Sequence, residues 1–93
     1  MKVRVILSAN LHELANAVSI TLQVPSGYTV RDLIMKLGEV NPEIPKILLK
    51  GDELNENYIV IVNGRDIHWL RGGLLTNLND GDEILIAPKA FIS

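Results

Sequence analysis

The sequence predicts an α+β domain in which a mixed sheet packs against one main helix and a short second helix. Three observations carry this expectation: period-two alternation in two N-terminal runs, one clear helical repeat between residues 30 and 40, and an Asn63-Gly64 turn joining two strand-like runs. Val3, Val5 and Leu7 alternate with Lys2, Arg4, Ile6 and Ser8, which describes a strand with one buried face. Residues 10–16 read as a polar connection. Val18, Ile20, Leu22 and Val24 then alternate with Ser19, Thr21 and Gln23, the cleanest strand pattern in the chain, and Pro25-Ser26-Gly27 ends it.

Thr29 is a suitable N-cap, and Asp32, three residues on, favours the N-terminal end of the helix dipole. Val30, Leu33, Ile34, Leu37 and Val40 fall on one helical face, with Arg31, Lys36 and Glu39 on the other. Gly38 weakens the last turn, and Asn41-Pro42 ends the helix because the residue before proline is pushed out of the α region. Ile44, Ile47 and Leu48 suggest a second short helix, and Gly51-Asp52 marks a loop. Residues 58–62 form a β-branched run expected to be buried on both faces or nearly so. Asn63 and Gly64 both tolerate the positive φ of a type I′ turn, and residues 65–70 are expected to return as a short strand. Asn79-Asp80-Gly81 turns the chain into the last strand, residues 83–87. The order β-β-α-(short helix)-β-β-β buries the helix on one side of the sheet, in two layers with a right-handed crossover.

Composition narrows the function. Ninety-three residues make one domain, which at this size buries roughly 60–68% of the surface its unfolded chain exposes. Nine basic and eleven acidic residues leave a net charge of −2 and no basic cluster, so nucleic acid is not an expected partner. The absence of cysteine removes disulfides, thiolate nucleophiles and Cys-ligated metals. Arg4 interrupts the first apolar stretch, so no signal-peptide core is present, and no run has the length of a membrane span. A cytoplasmic location follows as an expectation.

No site inside the domain reads as catalytic. His12 and His68 have neither metal-ligand nor nucleophile spacing. Asp80, Asp82 and Glu83 cluster at a turn, where Asp and Gly are used for backbone geometry. Gly72-Gly73 lacks any phosphate-loop context. Trp69 is expected to pack at a sheet edge, and Tyr28 to cover the start of the helix. Neither a metal nor a cofactor is expected.

Three stretches in order, YTVRDLIMKL, VNGRDI and LNDGDEILIAP, resemble the ubiquitin-like sulfur carriers, with SANLHEL matching their first turn. The chain is most similar to the small subunit of molybdopterin synthase (MoaD), with the thiamine-pathway carrier ThiS a relative. The resemblance runs from about Lys2 to Pro88 and implies a β-grasp, ubiquitin-like domain over residues 1–88, with a C-terminal tail at 89–93. It also implies a mechanism. The family's terminal Gly-Gly carboxylate is adenylated by an ATP-using activating enzyme and converted to a thiocarboxylate, and the arm then threads a channel too narrow for a Cβ. Aligned without a gap through Pro88, Ile92-Ser93 stand where the family has Gly-Gly, and Ile92 is β-branched and stiff. Gly72-Gly73 is not a hidden terminus, because cleavage there would remove the last strand with Ile84 and Ile86.

The resemblance also places a partner surface on the outer sheet face. There Ile6 and Leu85 point outward, while Ser8, Asp66 and Ala87 stand where relatives carry larger apolar or aromatic residues. Burying an unpaired Asp66 would weaken docking of the usual partner. Phe91 is a candidate anchor along a neighbour's sheet edge. The expected function is that of a non-enzymatic, sulfur-carrier-family protein linked to molybdopterin biosynthesis, binding a protein partner rather than carrying a thiocarboxylate. That partner would be the activating enzyme or the synthase large subunit. The alternatives are a working carrier with a different mature C-terminus, and a ubiquitin-like interaction domain of a larger protein.

Overall fold

The computed structural model describes residues 1–92, the side chains of 91 and 92 excepted. Strands β1 (Lys2–Leu7), β2 (Ser19–Gln23), β5 (Tyr58–Val62), β6 (Arg65–Asp66) and β7 (Glu83–Pro88) form one sheet in the order β2-β1-β7-β5-β6. Only β1 and β7 run parallel, so the sheet is mixed. A separate hairpin of β3 (Leu49–Lys50) and β4 (Glu53–Leu54) turns at Gly51-Asp52.

Helix α2 (Val30–Lys36) covers the inner sheet face, with Val30, Leu33 and Ile34 fully buried, and α3 (Glu43–Leu48) adds Ile44 and Leu48. These meet Val3, Val5 and Leu7 of β1, Val60 and Val62 of β5, and Ile84 and Ile86 of β7 in one core. Thr29 Oγ1 accepts the Asp32 N–H at 3.2 Å, and the Asp32 carboxylate accepts the Thr29 N–H at 3.0 Å. Aspartate, shorter than the usual glutamate, thus closes the reciprocal capping box here. Past Lys36 the chain tightens into a 3₁₀ turn at Leu37–Glu39, where Gly38 stands, and Val40 is left 42% exposed instead of joining the buried face.

The structure corrects three local expectations. Residues 10–16 are not an irregular connection: Asn10–Ala15 is helix α1, because Leu11 (fully buried) and Leu14 fall one turn apart against the core. The Asn41 side-chain amide donates to the Leu14 carbonyl at 3.1 Å and ties that helix end to the start of α3. Residues 65–70 do not form a continuous strand. The ladder stops after Asp66, whose carboxylate accepts the His68 N–H at 2.9 Å and draws Ile67–Trp69 into a 3₁₀ turn. That turn aims Ile67 into the core and leaves Trp69 86% exposed, not packed at a sheet edge.

The expected Asn63-Gly64 hairpin is present, with φ of +50° and +85°. Its side chain does more than turn the chain. Asn63 Nδ2 donates to Asp82 at 2.8 Å and Asn63 Oδ1 accepts the Glu83 N–H at 2.9 Å. Asp82, 7% exposed, also accepts the Asn79 N–H at 2.7 Å. The carboxylate cluster before β7 is therefore a latch that sets the register of the central strand.

Candidate functional site

On the outer sheet face the strand register lines up one row of side chains. Ser19 of β2 faces Ile6 of β1, Ile6 faces Leu85 of β7, Leu85 faces Ile61 of β5, and Ile61 faces Asp66 of β6. Ile6, Leu85 and Ile61 are each half-buried, and together they make an apolar strip three strands wide. Side chains on one sheet face stand close enough across neighbouring strands to present a single surface.

Polar groups border the strip. On one side Arg4 reaches Glu83 at 3.4 Å, and its Nε donates to Ser19 Oγ at 3.1 Å. At the β6 end Asp66 holds His68 twice, through the backbone N–H and through Nδ1 at 2.8 Å. Asp66 is thus paired, and the cost of covering it is smaller than that of the lone carboxylate the sequence suggested.

Burial alone would raise the Asp66 pKa, but the two His68 hydrogen bonds, the His68 charge and that of Lys89 together hold it below its ordinary value. A carboxyl with a depressed folded-state pKa adds stability that is complete above its unfolded pKa and disappears as pH falls through the folded one. Thermal melts should therefore show a stability loss below about pH 4 that Asp66→Asn reduces.

Of the residues expected on this face, Ile6, Ser8, Asp66 and Leu85 are partly accessible. Ala87 is not: it is completely buried, its short methyl lying beside Ile59 in the ladder just before the chain turns into α4 (Lys89–Ile92). Ala87 therefore offers no surface of its own. The Phe91 and Ile92 side chains and Ser93 lie outside the described residues. Ile59 and Ile61 were missed, because their β-branched run suggested burial on both faces. The hairpin held the signal: a two-residue turn at Asn63-Gly64 sets Ile61 opposite Asp66, so an outward Asp66 requires an outward Ile61.

The other candidates are structural or isolated. His12 is exposed on α1, and His68 is exposed on the turn after β6. Among the described residues, no group of three or more His, Asp or Glu is placed to hold a metal. At Gly72-Gly73, Gly73 takes φ of +53°, and a Cβ on Gly72 would meet the Thr76 backbone nitrogen at 3.0 Å. The pair serves a tight 3₁₀ turn. Among the described residues, no helix is long and apolar enough to cross a membrane.

Known proteins share this fold. The ThiS family model matches residues 5–89. A protein of Archaeoglobus fulgidus, assigned as a sulfur carrier, is 36% identical over 61 residues, which are 64% of this chain and 68% of that one. The small archaeal modifier protein 1 of Methanosarcina acetivorans superposes with a TM-score of 0.77 at 37% identity, over 94% of this chain and 91% of the other. A Pyrococcus furiosus protein assigned as subunit 1 of a molybdopterin converting factor gives 0.77 at 28% identity, over 95% and 97%. A chain of the Amycolatopsis orientalis BexX/CysO complex gives 0.80 at 26% identity, over 92% and 93%. The family match spans nearly the whole β-grasp domain, and the chain belongs to the ThiS family of ubiquitin-like sulfur carriers.

Proposed function

We propose that this chain is a non-enzymatic member of the sulfur-carrier family that serves molybdenum-cofactor biosynthesis by docking a protein partner on its outer sheet face. The observation that carries the proposal is the Ile6–Leu85–Ile61 strip, apolar at its centre and rimmed by the Arg4–Glu83 and Asp66–His68 pairs. An apolar centre with a polar rim is the anatomy of a protein–protein contact. The molybdopterin assignment of the Pyrococcus furiosus neighbour supports the pathway, and the BexX/CysO complex supports protein docking as a use of this fold. The partner proposed is the activating enzyme or the molybdopterin synthase large subunit, with Ile6, Ser8, Asp66 and Leu85 in the contact.

Docking without sulfur transfer is favoured by the backbone after β7. The chain goes directly into the helical turn α4, and the Lys89 N–H donates to the Asn57 carbonyl at 2.9 Å. A delivery arm has to be extended from that point. Family membership favours the second reading, a working carrier whose mature protein ends in Gly-Gly. Intact-mass spectrometry of the protein from its own host, before and after incubation with the activating enzyme, ATP and a sulfur donor, separates the two. The docking reading expects no acyl-adenylate and no exchange of a terminal oxygen for sulfur; either product would sink it in favour of the carrier.

A further inference from the structure

The two edges of the main sheet are unlike. β6 is two residues long and ends where Asp66 folds the chain into a 3₁₀ turn, which leaves little edge to pair with. β2 is five residues long and carries none of the devices that usually blunt an edge. From Val18 to Val24 there is no charged residue, proline or glycine.

The hydrogen-bond phase of β2 fixes which groups are free. The Leu7 N–H donates to the Val18 carbonyl at 2.8 Å, and the Val24 N–H to the Met1 carbonyl at 2.9 Å. In an antiparallel pair such bonded positions recur every second residue. Val18, Ile20, Leu22 and Val24 therefore face β1 with their backbone groups, in register with Leu7, Val5, Val3 and Met1. Ser19, Thr21 and Gln23 turn their N–H and C=O groups away from the sheet. A free edge this regular is a template for another strand.

We propose that this strand is a second copy of β2, paired antiparallel about a two-fold axis through Thr21. The sequence is self-complementary in that register. Thr21 meets its own copy and Ser19 meets Gln23 of the other, with two backbone hydrogen bonds in each pair. Ile20 then faces Leu22 of the other copy on the inner side, covering two side chains that are only half-buried in the single chain. The outer side brings together only Ser, Thr and Gln, so no like charges meet although each chain carries a net −2. An isologous contact of this kind closes as a dimer and joins the two sheets into one. It uses an edge separate from the Ile6–Leu85–Ile61 strip, so its success or failure is independent of partner docking.

The cysteine-free sequence makes the register testable. Directly paired, hydrogen-bonded residues have Cα atoms about 5.5 Å apart, within the roughly 4.4–6.8 Å that a disulfide spans. Under mild oxidation Thr21→Cys should form a covalent dimer. Ser19→Cys should not, because its two copies lie roughly 13 Å apart along the strand. Thr21→Pro removes an N–H that points away from β1, so the β1–β2 ladder is retained. In sedimentation velocity it should shift the protein toward monomer, raising the dimer Kd by roughly tenfold or more, with its circular dichroism unchanged. Ser19→Cys crosslinking as readily as Thr21→Cys overturns the register. A wild-type chain monomeric up to about millimolar concentration, weaker than any specific dimer needs, overturns the proposal and leaves the edge to a strand from another protein.

Discussion

Ile86→Ala is expected to lower the stability of this domain by about 2–5 kcal/mol, the range for truncating a fully buried aliphatic side chain to alanine. Ile86 is completely buried on β7, the central strand of the sheet, parallel to β1 and antiparallel to β5. Its ladder positions face Leu7 on one side and Val60 on the other, both core residues. The structure cannot collapse onto the lost volume without moving one of those strands, and packed interiors resist such shifts. Against a total stability of roughly 5–15 kcal/mol for a domain, a loss of this size is a large fraction. Urea unfolding should show a lower midpoint with an unchanged slope; a shift no larger than that of an exposed-site substitution would contradict the packing described here.

The sheet and its core were legible in the sequence because both faces of the problem are written in period. β1 and β2 alternate strictly enough to assign each side chain to a face, and α2 announces its start with Thr29 and Asp32. The errors arose where few residues decide. α1 has only Leu11 and Leu14 as its apolar repeat, too short a pattern to tell from a polar loop. At β6 a single side-chain bond, Asp66 to the His68 N–H, outweighs the β propensity of the residues after it. That same bond exposes Trp69, whose size alone suggested packing. On the outer face, Ile6 and Leu85 followed from alternation, and Asp66 from the family resemblance. The accessibility expected of Ala87 failed, since whether an outward methyl is covered depends on neighbouring strands that are remote in sequence.

Leu85→Asp is expected to weaken partner binding on the order of a hundredfold, because contact centres concentrate binding energy and a carboxylate there would be covered without a partner. Leu85 lies midway along the strip, between Ile6 and Ile61. The polar rim is expected to matter less: Arg4 and Glu83 are more than half exposed, and exposed ion pairs contribute little. Leu85→Ala, which trims the strip and adds no charge, should fall between wild type and Leu85→Asp.

The most direct test is a calorimetric titration of wild type, Leu85→Ala and Leu85→Asp into the host's activating enzyme and, separately, into its molybdopterin synthase large subunit. Saturable binding of the wild type to at least one of them is expected, with a graded loss through the two variants, both of them folded by circular dichroism. Binding that is equally strong for wild type and Leu85→Asp would place the contact elsewhere and contradict the assignment of the outer sheet face.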